Sequence, residues 1–306
     1  MPSIRTVLGD IAPGELGVCD AHDHLFLRMP RFAGQELDDP AAAAEELRLF
    51  HDAGGQTLVQ WTPFGLGRRA DALAELSRST GVHVIAATGL HQAEHYDPAV
   101  LDRVRPRLAD LFIDELTNGI HHNGDTPPVR AGLIKVAGSF HHLDEHARRT
   151  MVAAARAHQE TGAPIGIHLE LGTAALDVID LLCANLNVPP SGVILGHLNR
   201  HPELRILRQA AESGTFLAFD GPSRANHATD WRLLDLLTAL VDAGHADQLL
   251  LGGDTTTAAA RAATDGGPGI PYLLTNLRPR LDRELGSDLT AKIFVANPAR
   301  AFAWRE

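Results

Sequence analysis

The sequence predicts an α/β chain folded as a (β/α)8 TIM barrel, and two observations carry that expectation. Eight short apolar runs, each bounded by Gly, Pro or polar turn residues, recur along the 306 residues, and stretches of helical periodicity separate them. Six of the eight runs place a polar or ionisable side chain at or near their C-terminal end: His22 and His24, Lys135, His168, His197, Asp220 and Asp254. A barrel gathers all strand C-termini on one rim, so these residues would meet there, whereas an open doubly wound sheet would leave its outer strand ends far apart. At about 250 residues for a typical barrel, the length suits one such domain spanning residues 1–306.

In order, the candidate strands are GVCDAHDHL, QTLVQWT, VHVIAATG, AGLIKVAG, PIGIHLE, GVILGHL, TFLAFDG and LLLGGDT. Runs that are apolar on both faces and alternate with helices indicate parallel pairing. Between the first two lies PAAAAEELRLFHDAGG, which ends on the two glycines expected of a helix stop. Between the fourth and fifth, LDEHARRTMVAAARAHQETGAP begins at an N-cap, Asp144, and finishes at Gly162 ahead of Pro164. After the eighth, ATDGGPGIP reads as a loop rather than a domain boundary.

A formal net charge of -11 argues against a surface built to neutralise nucleic-acid phosphates or anionic lipid, leaving a small molecule as the expected partner. The two cysteines, Cys19 and Cys183, sit in apolar stretches and read as small buried hydrophobes of a reducing cytoplasm. The opening MPSIRTVLGDIAPGELG lacks the pattern of a signal peptide. No segment approaches the roughly 18 apolar residues of a membrane span.

Alternate residues of a strand share a face, so His22 and His24 point the same way, able to grip one borderline metal such as zinc, with Asp23 turned aside. A chain with 17 histidines also produces such a pair by chance. Lys135, inside an otherwise apolar strand, is the more informative residue, because an ammonium taken out of water needs a partner or must lose its proton. A neutral amine can combine with carbon dioxide to give a carbamate able to bridge two metals; the competing reading is a lysine that snorkels outward. His168 and His197 end consecutive strands and together supply two nitrogens for a second metal, although either alone suits a hydrogen-bonded core histidine. Asp254 adds a carboxylate, and Gly252 and Gly253 leave room for close backbone approach.

The order His-x-His, Lys, His, His, Asp resembles the phosphotriesterase family of the amidohydrolase superfamily. TVLGDIAPGELGVCDAHDHL resembles that family's opening, GRRADALAELSRSTGVHVIAATGL its second and third units, and NPARAFAW its ending, so the likeness spans nearly the whole chain. Where the family usually reads His-Glu-His this chain has His22-Asp23-His24, and the middle residue is not expected to be a ligand. The resemblance implies a hydrolase with two divalent ions, zinc first, with Mn, Co or Fe as alternatives. In that scheme His22, His24 and Asp254 hold the more buried ion, His168 and His197 the more exposed one, and carboxylated Lys135 and a hydroxide bridge them. Asp254 then doubles as proton acceptor, and Lys135 and Asp254 are the catalytic pair. Related proteins are commonly dimers, which makes a homodimer the expectation by analogy. Single-domain deoxyribonucleases of the superfamily also open on His-x-His but use a glutamate at strand four, and a non-catalytic binder has no need of a proton acceptor beside the metals.

The same family includes phosphotriesterases, lactonases and carboxylesterases, so substrate is expected to be set by the loops after the strands. The loop after strand three carries His91 and Gln92 where enzymes that take bulky aryl leaving groups have aromatics, followed by His95 and Tyr96, giving a polar wall. After strand seven come Asp220 and Arg224, the latter able to bind an anionic or hydroxylated group or equally to pair with Asp220 or Asp230. The loop DGGPGIPYLL resembles that of members acting on sugar-type lactones. A small hydroxylated lactone is therefore the expected substrate, with organophosphate triester hydrolysis as the alternative. The remaining histidines are read as solvated or connecting residues, with His146 and His158 on a polar helix face, and Trp61 as core.

Overall fold

The computed structural model describes residues 2–120, 129–221, 229–264 and 266–305. Among them, the eight apolar runs form one sheet of β3 (Cys19–Asp23), β4 (Thr57–Gln60), β5 (His83–Gly89), β6 (Leu133–Ala137), β7 (Ile165–His168), β8 (Val193–Gly196), β9 (Phe216–Asp220) and β10 (Leu249–Gly252), paired in sequence order. Every pairing is parallel. The two end strands meet without a ladder, joined at the seam by Asp254 N–H donating to His22 O at 3.0 Å. This is a nearly closed TIM barrel, as the convergence of polar strand ends required.

The two helices whose ends the sequence signals start and stop close to them. In α1 (Pro40–Asp52), the Asp39 side chain accepts from the Ala41 and Ala42 N–H groups, which the first turn leaves without partners. In α5 (Glu145–Thr161), Asp144 accepts from Ala147 N–H, and Gly162 closes the helix in the left-handed conformation at φ 79°. Its buried stripe, Ala147, Met151, Ala154 and His158, runs at helical spacing. His158 is therefore core, contrary to the polar face expected for it: it is 4% exposed and its Nδ1 lies 2.7 Å from Ala163 O. His146 is half-buried and pairs with His91 O. His141 and His142 are exposed, as expected of loop residues. Cys19 is buried, but Cys183 is only partly so.

Inside the barrel the side chains of Val59, Trp61, Ile85, Leu133, Ile194 and Leu250 pack into one cluster with Ile4, Leu16 and Phe302. The last three come from outside the barrel strands. Ile4 belongs to a hairpin, β1 (Ile4–Thr6) and β2 (Gly9–Ile11), that the periodicity did not signal because each strand is three residues long. The larger apolar cluster lies between the strands and the surrounding helices. With both surfaces of the sheet covered, the polar residues at the strand ends are what this core positions.

Candidate metal centre

Strand β3 does not keep strict alternation: its pairing with β4 shifts register between Asp20 and Asp23. His22 consequently joins the barrel interior, its ring stacked on Trp61 at 3.8 Å and 11°. His24 lies just past the strand end. Both rings still serve one point, with His22 Nε2 at 3.7 Å and His24 Nε2 at 3.6 Å from the same oxygen, Oδ1 of Asp254.

Hydrogen bonds behind the rings fix which nitrogen is free. Thr62 Oγ1 gives its proton to Phe26 O at 2.6 Å and so accepts from His24 Nδ1–H at 2.7 Å. His22 Nδ1–H donates to Asp220 Oδ2 at 2.9 Å. Each ring therefore turns an Nε2 lone pair toward Asp254, which is how such partners orient metal-binding imidazoles. Burial alone would raise the Asp254 carboxyl, but His197, His24, His22 and Arg200 around it hold it well below the usual carboxylate range. Its other oxygen, Oδ2, accepts from Arg200 Nη2 at 3.1 Å.

On the other side, His197 Nε2 lies 2.8 Å from His168 Nδ1, and His168 Nε2 lies 3.0 Å from Glu170 Oε2. His197 Nδ1 is buried with no hydrogen-bond partner, and Asp220 Oδ1 is in the same position. Lys135 is 2% exposed, and burial pushes its amine down to about 7. The hydrogen bond from His168 is the main reason the Glu170 carboxyl sits at about 2.

The six residues expected to bind metal, His22, His24, Lys135, His168, His197 and Asp254, all line one cavity of about 330 Å³. The ligand atoms of His22, His24 and Asp254 lie within 4.8 Å of one another, as do those of His22, His197 and Asp220. Imidazole nitrogens and carboxylate oxygens at this spacing, with lone pairs turned inward and two buried atoms left unpaired, fit divalent cations of the zinc type. Beneath them, Asp23 accepts from the N–H groups of His24 and Thr255, and Asp20 from those of His22 and Gly253. The backbone runs so close here that a Cβ on Gly253 would come within 2.0 Å of Asp23 Oδ2, which explains the glycine pair.

Of the residues expected at the substrate wall, His91, Gln92 and His95 line the cavity. Tyr96 and Asp220 lie behind it. The Tyr96 hydroxyl is used up donating to Phe64 O and accepting from His91 N–H, and Asp220 is sealed under His22 and His197. Arg224 lies outside the described residues, as do His121, His122 and His227. Trp61 is core as expected, and also the platform under His22. Sequence reasoning passed over Glu170, Arg31 and Arg200, which line the cavity. Glu170 and Arg200 follow the expected ligands His168 and His197 by two and three positions, a proximity that is a signal for both.

Residues 2–302 match the phosphotriesterase family. A phospho-furanose lactonase of Mycoplasmopsis synoviae is 30% identical over 99% of this chain and 92% of that protein. A phosphotriesterase homology protein of Escherichia coli is 29% identical over 92% of this chain and 96% of that one. Among solved structures, a lactonase from Listeria monocytogenes superposes with a TM-score of 0.91 at 30% identity, covering 99% of this chain and all of that one (100%).

Proposed function

The chain belongs to the phosphotriesterase family of metal-dependent hydrolases, and from that premise we propose that it opens small, polar, sugar-type lactones or related carboxylic esters. The observation that carries the substrate class is the cavity wall: among the described residues it holds Arg31, His91, Gln92, Lys135, Glu170 and Arg200, with no Phe, Tyr or Trp. Leu27, Met29, Pro63 and Leu171 give the wall apolar patches as well, but a hydroxylated ring finds polar partners there and an aryl leaving group finds no aromatic platform, which makes organophosphate triesters the weaker reading.

In this reading His22, His24 and Asp254 would hold one divalent cation and His168 and His197 a second. Lys135, whose buried amine sits at about 7, would add carbon dioxide through nitrogen with loss of a proton, and its carbamate would supply a further anionic ligand. The cations, zinc by preference, supply Lewis acidity that lowers the pKa of water from about 15.7 towards 7 and polarises the carbonyl. Asp254 then takes the proton of the attacking water and returns it to the ring oxygen as the acyl C–O bond breaks. Arg200, bonded to Asp254 Oδ2, keeps that carboxylate oriented between the imidazoles and the cavity.

The deciding experiment is a substrate panel of sugar lactones, acyl-homoserine lactones, aryl esters and paraoxon-like triesters assayed on metal-loaded protein. Turnover is expected on the small hydroxylated lactones; activity on triesters alone would overturn the reading.

A further inference from the structure

His91 is held by every polar atom but one. Its backbone N–H donates to Tyr96 Oη at 2.8 Å, and its carbonyl oxygen lies 2.8 Å from His146 Nε2. The backbone N–H of Gln92 donates to His91 Nδ1 at 2.7 Å. A nitrogen that accepts a backbone N–H cannot itself carry a proton, so the neutral ring is left with its proton on Nε2. That Nε2–H belongs to a residue 5% exposed that lines the cavity, with its ring 4.5 Å from His168 and 4.8 Å from His95.

We propose that His91 is a specificity-determining residue whose locked Nε2–H reads an oxygen on the carbon next to the scissile carbonyl. This rests on the lactonase reading above. The carbonyl under attack has to sit against the metal-site imidazoles, and a ring this close to His168 reaches the neighbouring carbon rather than a distant substituent. A buried donor discriminates strongly because a substrate lacking the matching acceptor leaves it unpaired. Since Nδ1 is occupied, the ring presents only a donor to the cavity and cannot act as a base there.

The test compares γ-butyrolactone with its α-hydroxy derivative on metal-loaded protein. Wild type is expected to favour the hydroxylated lactone in kcat/KM by about 10- to 100-fold, the worth of one buried hydrogen bond. His91→Gln places an amide N–H near the Nε2 position and is expected to keep most of that ratio. His91→Asn retains an acceptor for Gln92 N–H but has no donor at that reach, and the ratio is expected to fall to near one while γ-butyrolactone is still turned over. A ratio unchanged in His91→Asn, or no preference in wild type, overturns the assignment while leaving the lactonase reading intact. Failure of wild type on every lactone overturns both. Independently of activity, long-range 15N–1H spectra of the metal-free protein, with the His91 ring identified as the signal missing from the variants, are expected to show the proton on Nε2. A proton on Nδ1 would also overturn it.

Discussion

Lys135 is costly to a folded protein without metal, and that cost has a direction in pH. Burial brings its amine from 10.5 to about 7, so between those values the unfolded chain holds a proton that the folded chain has released. Stability rises with pH wherever the unfolded state binds more protons. The metal-free protein is therefore expected to resist urea better at pH 9 than at pH 7. Lys135→Met should be more stable than the parent at pH 7 and should lose that part of the slope; an identical slope in both proteins would place the amine in water. With metal present, Lys135→Ala is expected to bind fewer than the two cations expected of the parent and to lose activity, with partial rescue by short carboxylic acids, as metal analysis and assay would show. Asp254→Asn should cost kcat about 10²- to 10⁴-fold, the usual worth of a positioned proton acceptor. The six expected metal ligands stood out because each sits within or at the end of an apolar run, where an ionisable side chain is conspicuous, and all six line one cavity. Glu170 and Arg200 were passed over although they closely follow His168 and His197, since they enter the cavity through irregular turns, with Leu171 at φ 49° and His197 at φ 63°, that no periodicity encodes.

Among the elements, the helix start at Asp144 could be read directly because capping is local chemistry. Asp144→Ala should lower unfolding stability by about 1 kcal/mol in chemical denaturation, leaving Ala147 N–H to water. A less visible device joins α1 to the loop after β10. The fully buried Glu46 accepts from the backbone N–H groups of Ala262, Ala263 and Ile270, so a helix residue distant in sequence anchors the loop whose first residues, Thr256 and Thr257, line the cavity. Glu46→Ala strands those donors and is expected to cost about 1–3 kcal/mol and to raise KM more than it lowers kcat. Unchanged kinetics would separate that loop from substrate binding. In PAAAAEELRLF the spacing of Ala43, Leu47 and Phe50 puts Glu46, unlike Glu45, on the buried stripe, but nothing there names its partners, which lie more than two hundred positions away. His158 was expected on a polar face, although the spacing from Ala147 through Met151 and Ala154 puts it on the buried stripe.

For the whole molecule, the barrel rather than the open sheet was legible because only closure brings His22, from the first barrel strand, to Asp254, just beyond the last. The seam itself was not legible, since strand periodicity says nothing about whether end strands complete a ladder. β3 and β10 meet through isolated hydrogen bonds such as Gly253 N–H to Asp20 and Asp254 N–H to His22 O, with the expected metal-binding side chains directly above. A cation held by His22, His24 and Asp254 would thus bind the two margins of the sheet to each other as well as serve the chemistry. Stripping it should let amide protons along this joint trade with deuterium earlier than those of the fully paired strands opposite, so that the ring breathes at one fixed place and the catalytic ion doubles as its clasp.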